Sequence, residues 1–130
     1  MDLRTKGIQV DRFVDRWKPH EQVRKDQLLR NARLFLERIA TEVLGLTKGQ
    51  YDLRVNPAGP AVSGEATLHT GFLYVQISQW GVSNMTVLYR SCKDRKDFTG
   101  GHNCWCRCES LASVLVPFAT PLAQERGVAV

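Results

Sequence analysis

No stretch of this chain approaches the roughly 20 consecutive apolar residues that a membrane-spanning helix needs. Nor does an apolar segment follow the basic start MDLRTKGIQVDRF, as it would in a secretory signal. A cytoplasmic protein with no membrane partner is expected. The Walker pattern and the dinucleotide-binding glycine fingerprint are both missing, which removes two familiar phosphate-binding loops. The HExxH and nucleophile-elbow motifs are missing too. His20, His69 and His102 are scattered, and the carboxylates show no paired-acid arrangement. These absences argue against an enzyme and against a resident cofactor. No internal repeat, low-complexity tract or linker interrupts the chain, so residues 1–130 are expected to form one domain with a real hydrophobic core.

What is present is cationic and concentrated. Lys and Arg number 18 against 13 Asp and Glu, a net charge of +5 that favours anionic partners or simply keeps the protein soluble. Residues 89–108, YRSCKDRKDFTGGHNCWCRC, hold all four cysteines, a double glycine and five of the cations. A loop of this composition suits a phosphate, a planar base or a metal ion.

The strongest helical pattern runs from about Glu21 to Leu44. Val23, Leu28, Ala32, Phe35, Leu36, Ile39 and Val43 recur at helical spacing, while Arg24, Lys25, Arg30, Arg33, Glu37 and Arg38 cover other sides. Gly45 and Gly49 supply stops. A shorter helical face, Val10, Phe13, Val14 and Trp17, precedes Pro19. From Tyr51 the period changes to two, with strands read at 51–55, 65–69, 72–79 and 85–91. Leu73, Val75 and Ile77 fall on one face of the third, with Phe72, Tyr74 and Gln76 on the other. Short connections predict an antiparallel meander. Residues 110–116 predict a short closing helix ended near Pro117, followed by a loosely held tail from Pro121. The expected fold is therefore α+β: a long N-terminal amphipathic helix packed on an antiparallel β-meander, with a short C-terminal helix. The sheet face bearing Phe72, Tyr74 and Gln76 is expected to be solvated or to make a homodimer contact. Trp17 is expected in the core, and Trp80 suits a core or an interface.

Three chemistries compete for the 89–108 segment. In the anion reading, Arg90, Lys93, Arg95 and Lys96 neutralise phosphate. Gly100 and Gly101 turn backbone N–H groups into a concave nest, Phe98 stacks on a base, and Asn103 hydrogen-bonds. Asp94 and Asp97 partly neutralise the loop, which argues against a simple nucleic-acid tract. The bland alternative is a long solvated hairpin whose glycines only turn the chain. In the metal reading, Cys92, His102, Cys104, Cys106 and Cys108 are enough donors for zinc. A single residue between successive cysteines, however, sets them about 6.5–7 Å apart on a strand face rather than around one ion. Reduced, metal-free cysteines are expected, with Cys92 partly accessible. In the catalytic reading, Cys104 lies near His102 in sequence, which does not establish a nucleophile and base in space.

The runs LYVQ at 73–76, LYRSC at 88–92, RKDFTGG at 95–101 and Asn103 resemble a pattern in small proteins of phages and bacteria. The resemblance implies a compact phage-type accessory protein of the anti-defence kind, acting by binding in the host cytoplasm. A sponge that sequesters a cyclic or adenine-containing nucleotide signal would use Arg90, Lys93, Arg95, Lys96, Phe98, Gly100, Gly101 and Asn103. The alternative is an inhibitor of a host defence complex, or a basic nucleic-acid-binding module, with or without structural zinc.

Overall fold

A computed structural model describes residues 25–56, 64–78, 86–97 and 100–127, and, within 25–28, the backbone alone. The expected helix around residues 10–17, the start of the main helix at 21–24, Trp80 and Phe98 lie outside the described residues. The chain runs as helix α1 (Lys25–Arg38), a π-helical turn (Ile39–Val43), and strands β1 (Tyr51–Asn56), β2 (Glu65–Thr70), β3 (Leu73–Ser78), β4 (Thr86–Ser91) and β5 (Cys104–Arg107). A 3₁₀ turn (Cys108–Ser110) then leads into helix α2 (Leu111–Glu125). This is an α+β fold.

Burial along α1 follows the apolar spacing. Leu29, Ala32, Phe35 and Leu36 are buried, as are Ile39, Ala40 and Val43 in the π-helical turn. Each large side chain removed from water contributes about 1.5–3 kcal/mol. Arg30, Arg33 and Leu34 face outward. The exposed pairs Arg33–Glu37 and Arg38–Glu42, at 3.8 and 2.8 Å, add only about 0.3–0.5 kcal/mol each. The stop falls at Gly45, whose φ of +68° lies in the left-handed region that favours glycine. With the chain turned there, the N–H of Leu46 reaches back to the carbonyl of Ala40 at 2.9 Å.

The five strands pair antiparallel in chain order, β1-β2-β3-β4-β5. One face, through Leu53, Leu68, Val75, Tyr89 and Cys104 in register, looks toward the core. Both helices pack on this side, α1 against β1 and β2, α2 against β4 and β5. The Tyr89 and Phe118 rings meet edge to face with centroids 4.9 Å apart.

Three expectations are corrected. The closing helix is not short. Helix α2 continues through Pro117 and Pro121 to Glu125, and Ala123, expected in a loose tail, is fully buried. An internal proline costs a helix about 3 kcal/mol. Both prolines lie on the exposed side, while Leu111, Leu115, Ala119 and Ala123 form an unbroken buried stripe at spacing four. The stripe outweighs the prolines.

Phe72 does not share a face with Tyr74 and Gln76. The Thr70 hydroxyl accepts the N–H groups of Phe72 and Leu73 at 3.1 and 2.9 Å, making a turn that ends only at Leu73. Period-two alternation does not govern a turn residue, and Phe72 drops into the core. Nor is the second sheet face simply solvated. His69, Tyr74, Leu88 and Arg90 are all buried there within one chain. No helix among the described residues is long and apolar enough to cross a membrane.

Candidate functional site

An antiparallel sheet brings the start of β1, the β2–β3 turn, the end of β4 and the start of β5 to one end. The segment after β4 is tied across that end. Cys92 donates its N–H to the Phe72 carbonyl at 3.1 Å and its thiol to the Thr70 carbonyl at 3.4 Å. The Arg95 guanidinium donates to the Gly49 carbonyl and lies 3.6 Å from the Asp52 carboxylate. From the other side, Arg126 at the end of α2 donates to the Cys92 carbonyl at 3.3 Å. Three parts of the chain distant in sequence therefore converge on residues 92–97.

Two aspartates hold the loop's shape from inside. Asp97 accepts the backbone N–H of Lys93 at 2.9 Å and that of Gly100 at 2.8 Å. Asp94 accepts the N–H of Lys96 at 2.8 Å. The Gly101 N–H is spent on the Ser91 carbonyl at 2.9 Å. The expected phosphate nest is corrected on this point, because a carboxylate and a carbonyl of the chain itself occupy its donors. The double glycine answers instead to close packing. A Cβ on Gly100 would collide with the Ser91 carbonyl oxygen, and one on Gly101 with the Ser91 hydroxyl; Gly100 also has φ +46°.

Two cavities open at this end. The first, about 360 Å³, is lined by Leu46, Gln50, Gly71, Phe72, Lys93, Asp94, Arg95 and Arg126. Its floor is the apolar pair Leu46 and Phe72, and its rim sets three cations against one carboxylate. A second cavity, about 400 Å³, is bordered by Ser91, Cys92, Lys93, Asp97, Gly100, Gly101, Leu122, Glu125 and Arg126. There two cations face two carboxylates. Both volumes fall in the lower part of the range for small-molecule sites, about 300–1,000 Å³.

The expected site residues divide accordingly. Lys93 and Arg95 border the first cavity, while Lys93, Gly100 and Gly101 border the second. Lys96 is exposed and borders neither. Arg90 and Asn103 turn away to the second sheet face. There the Arg90 guanidinium carbon lies 4.1 Å from the Tyr74 ring centroid, and Nη1 donates to Asn103 Oδ1 at 3.4 Å. Asp52, His69, Tyr74 and Arg90 follow one another across the strands as a polar row. Leu46, Gln50 and Arg126 are lining residues that the sequence-based expectation misses. The signal for Arg126 was the apolar stripe of α2 continuing past both prolines.

Burial also sets the titration of Cys92, Cys106, Cys108 and His69. Cys92 is 5% exposed, correcting the expectation of partial access; burial, reinforced by nearby Asp97, pushes its thiol up to about 11. Burial likewise raises Cys106 to about 11 and raises Cys108 further. All four cysteines are free, Cys104 and Cys106 sharing the core-facing side of β5. Among the described residues, no three His, Cys, Asp or Glu side chains group as metal ligands. His69 is held below its ordinary value, mainly by burial and then by the Arg90 charge, against an opposing hydrogen bond to the Asp94 backbone. That bond links the polar row to the cavity loop. Comparison of the chain with protein-family models, with curated proteins and with solved structures finds no match.

Proposed function

We propose that this chain is a non-enzymatic binding protein for a small phosphate-bearing ligand, received in the first cavity. The observation that carries this reading is an apolar floor, Leu46 and Phe72, beneath cations brought from two separate elements: Lys93 and Arg95 from the loop, Arg126 from α2. Arg95 is already engaged by Asp52 and Gly49, so its charge is partly spent. Lys93 and Arg126 carry the phosphate, with Gln50 available to a polar edge and the floor to a planar group. Charge decides between the cavities, since the second balances its cations with Asp97 and Glu125. A surplus of positive charge over an apolar base suits a nucleotide better than a free sugar or a neutral metabolite.

The resemblance to a pattern in small proteins of phages and bacteria suggests an accessory protein of the anti-defence kind, and a sponge of that kind needs binding without turnover. Such a protein would work in the host cytoplasm, and a homodimer belongs to the same proposal. Light scattering that returns the monomer mass at every concentration would overturn the dimer.

Calorimetry with adenosine 5′-monophosphate against adenosine tests the binding reading. The expected result is binding of the phosphorylated compound at least about tenfold tighter, the equivalent of 1.4 kcal/mol. Equal affinities, or no heat from either at millimolar concentration, would overturn it. A steep loss of oligonucleotide affinity with salt, and no response to the mononucleotide, would favour a nucleic-acid-binding module instead.

A further inference from the structure

The two cavities share two lining residues, Lys93 and Arg126. These come from different elements, one from the loop after β4 and one from the end of α2, and Arg126 is anchored to the Cys92 carbonyl at 3.3 Å. The shared cations thus stand at the boundary, where an anion can be met from either side. We infer that the ligand is a phosphodiester joining two organic groups, a dinucleotide-sized molecule whose bridging phosphate rests on Lys93 and Arg126; this inference rests on the proposed binding function.

Each side restricts what flanks the phosphate. In the first cavity the Leu46 and Phe72 floor takes a planar apolar group, with Gln50 at its edge. The second cavity sets Asp97 and Glu125 beside the same two cations. A further phosphate entering there would meet two carboxylates, so pyrophosphate and triphosphate chains are disfavoured. A neutral, hydroxyl-bearing group is favoured, because a carboxylate accepts hydrogen bonds strongly from a sugar's hydroxyls. Asp97 already holds the Lys93 and Gly100 N–H groups, which leaves Glu125 as the principal acceptor. The two volumes, about 360 and 400 Å³, give each half of a two-part ligand a cavity of its own within the range for small-molecule sites, about 300–1,000 Å³.

The test compares two probes of equal charge on the full chain by calorimetry. One is the dinucleoside monophosphate adenylyl-adenosine; the other is adenosine 5′-methylphosphate, which has the diester but not the second nucleoside. The dinucleoside compound is expected to bind at least about tenfold tighter, the gain for a second subsite engaged through a short link. Glu125→Trp, at an exposed position, fills the second cavity and is expected to abolish that advantage, so that the two probes bind within about twofold of each other. Glu125→Gln keeps the shape and is expected to reduce the advantage in part. Equal affinity of the two probes for the wild type would overturn the two-cavity inference and leave the first-cavity reading standing. Binding of neither probe would overturn both. Affinity that keeps climbing from the dinucleotide to a hexanucleotide, with a steep salt dependence, would overturn a small ligand in favour of a nucleic-acid strand.

Discussion

Gly100 shows how a residue chosen for one apparent purpose serves another. Next to four cations, a double glycine reads as an anion-binding turn, yet its N–H groups are consumed by Asp97 and Ser91. Replacing Gly100 by Ala meets both a left-handed φ and a fixed backbone oxygen, and is expected to cost about 1–3 kcal/mol in urea denaturation. Gly101→Ala meets only the Ser91 hydroxyl, so Ser91→Ala combined with it should recover most of the loss, a coupling that a double-mutant cycle reads directly. Simple additivity of the two changes would contradict the packing account. His69 gives a pH signature at the same scale. Because burial lowers its pKa from 6.5, the unfolded chain binds the proton more readily than the folded one. Its contribution to stability is therefore intact above pH 6.5 and lost as pH falls through the folded-state value. Denaturation midpoints in the native chain should drop over that window, and His69→Gln should flatten the drop. Thiol chemistry follows the same logic of burial. Cys92 and Cys108 should resist a thiol reagent in the native state, while half-buried Cys104 reacts first.

At the scale of elements, the meander and the main helix were legible because their periods are clean. Leu73, Val75 and Ile77 alternate, and Ala32, Phe35, Leu36, Ile39 and Val43 repeat at helical spacing, and all of them are buried, so local pattern and tertiary burial agree. Two elements were hidden by punctuation. Pro117 and Pro121 look like helix stops, because propensity is a local quantity and the buried stripe beneath them is not. Thr70 looks like a strand residue, but its hydroxyl builds the turn that sends Phe72 inward. The consequence for the site is direct. Arg126 reaches Cys92 only because α2 runs on past both prolines. Pro117→Ala should restore a helical N–H on an exposed face and raise stability by about 1–3 kcal/mol in urea denaturation. A neutral or destabilising result would contradict a continuous α2. Leu115→Ala, in the fully buried stripe, should cost about 2–5 kcal/mol.

Across the whole molecule, the cationic loop was legible as a place but not as a geometry. Of its four cations before the double glycine, Lys93 and Arg95 border the first cavity, Arg90 is stacked on Tyr74, and Lys96 faces solvent. Sequence adjacency places residues on one loop, while strand register and helix length decide which of them meet. The floor and Arg126 come from segments distant in the chain, a juxtaposition that exists only once the sheet end is assembled. In the function proposed above, Lys93 and Arg126 together hold an anion over Leu46 and Phe72. Its most direct test is calorimetric titration of adenosine 5′-monophosphate into the wild type, Lys93→Ala and Arg126→Ala, with thermal melts of all three. Binding by the wild type is expected, with a loss of about 1.5–3 kcal/mol in each variant, the range for a hydrogen bond to a charged group, and melting temperatures nearly unchanged. Undiminished affinity in both variants, or a wild type that gives no heat at millimolar ligand, would contradict it.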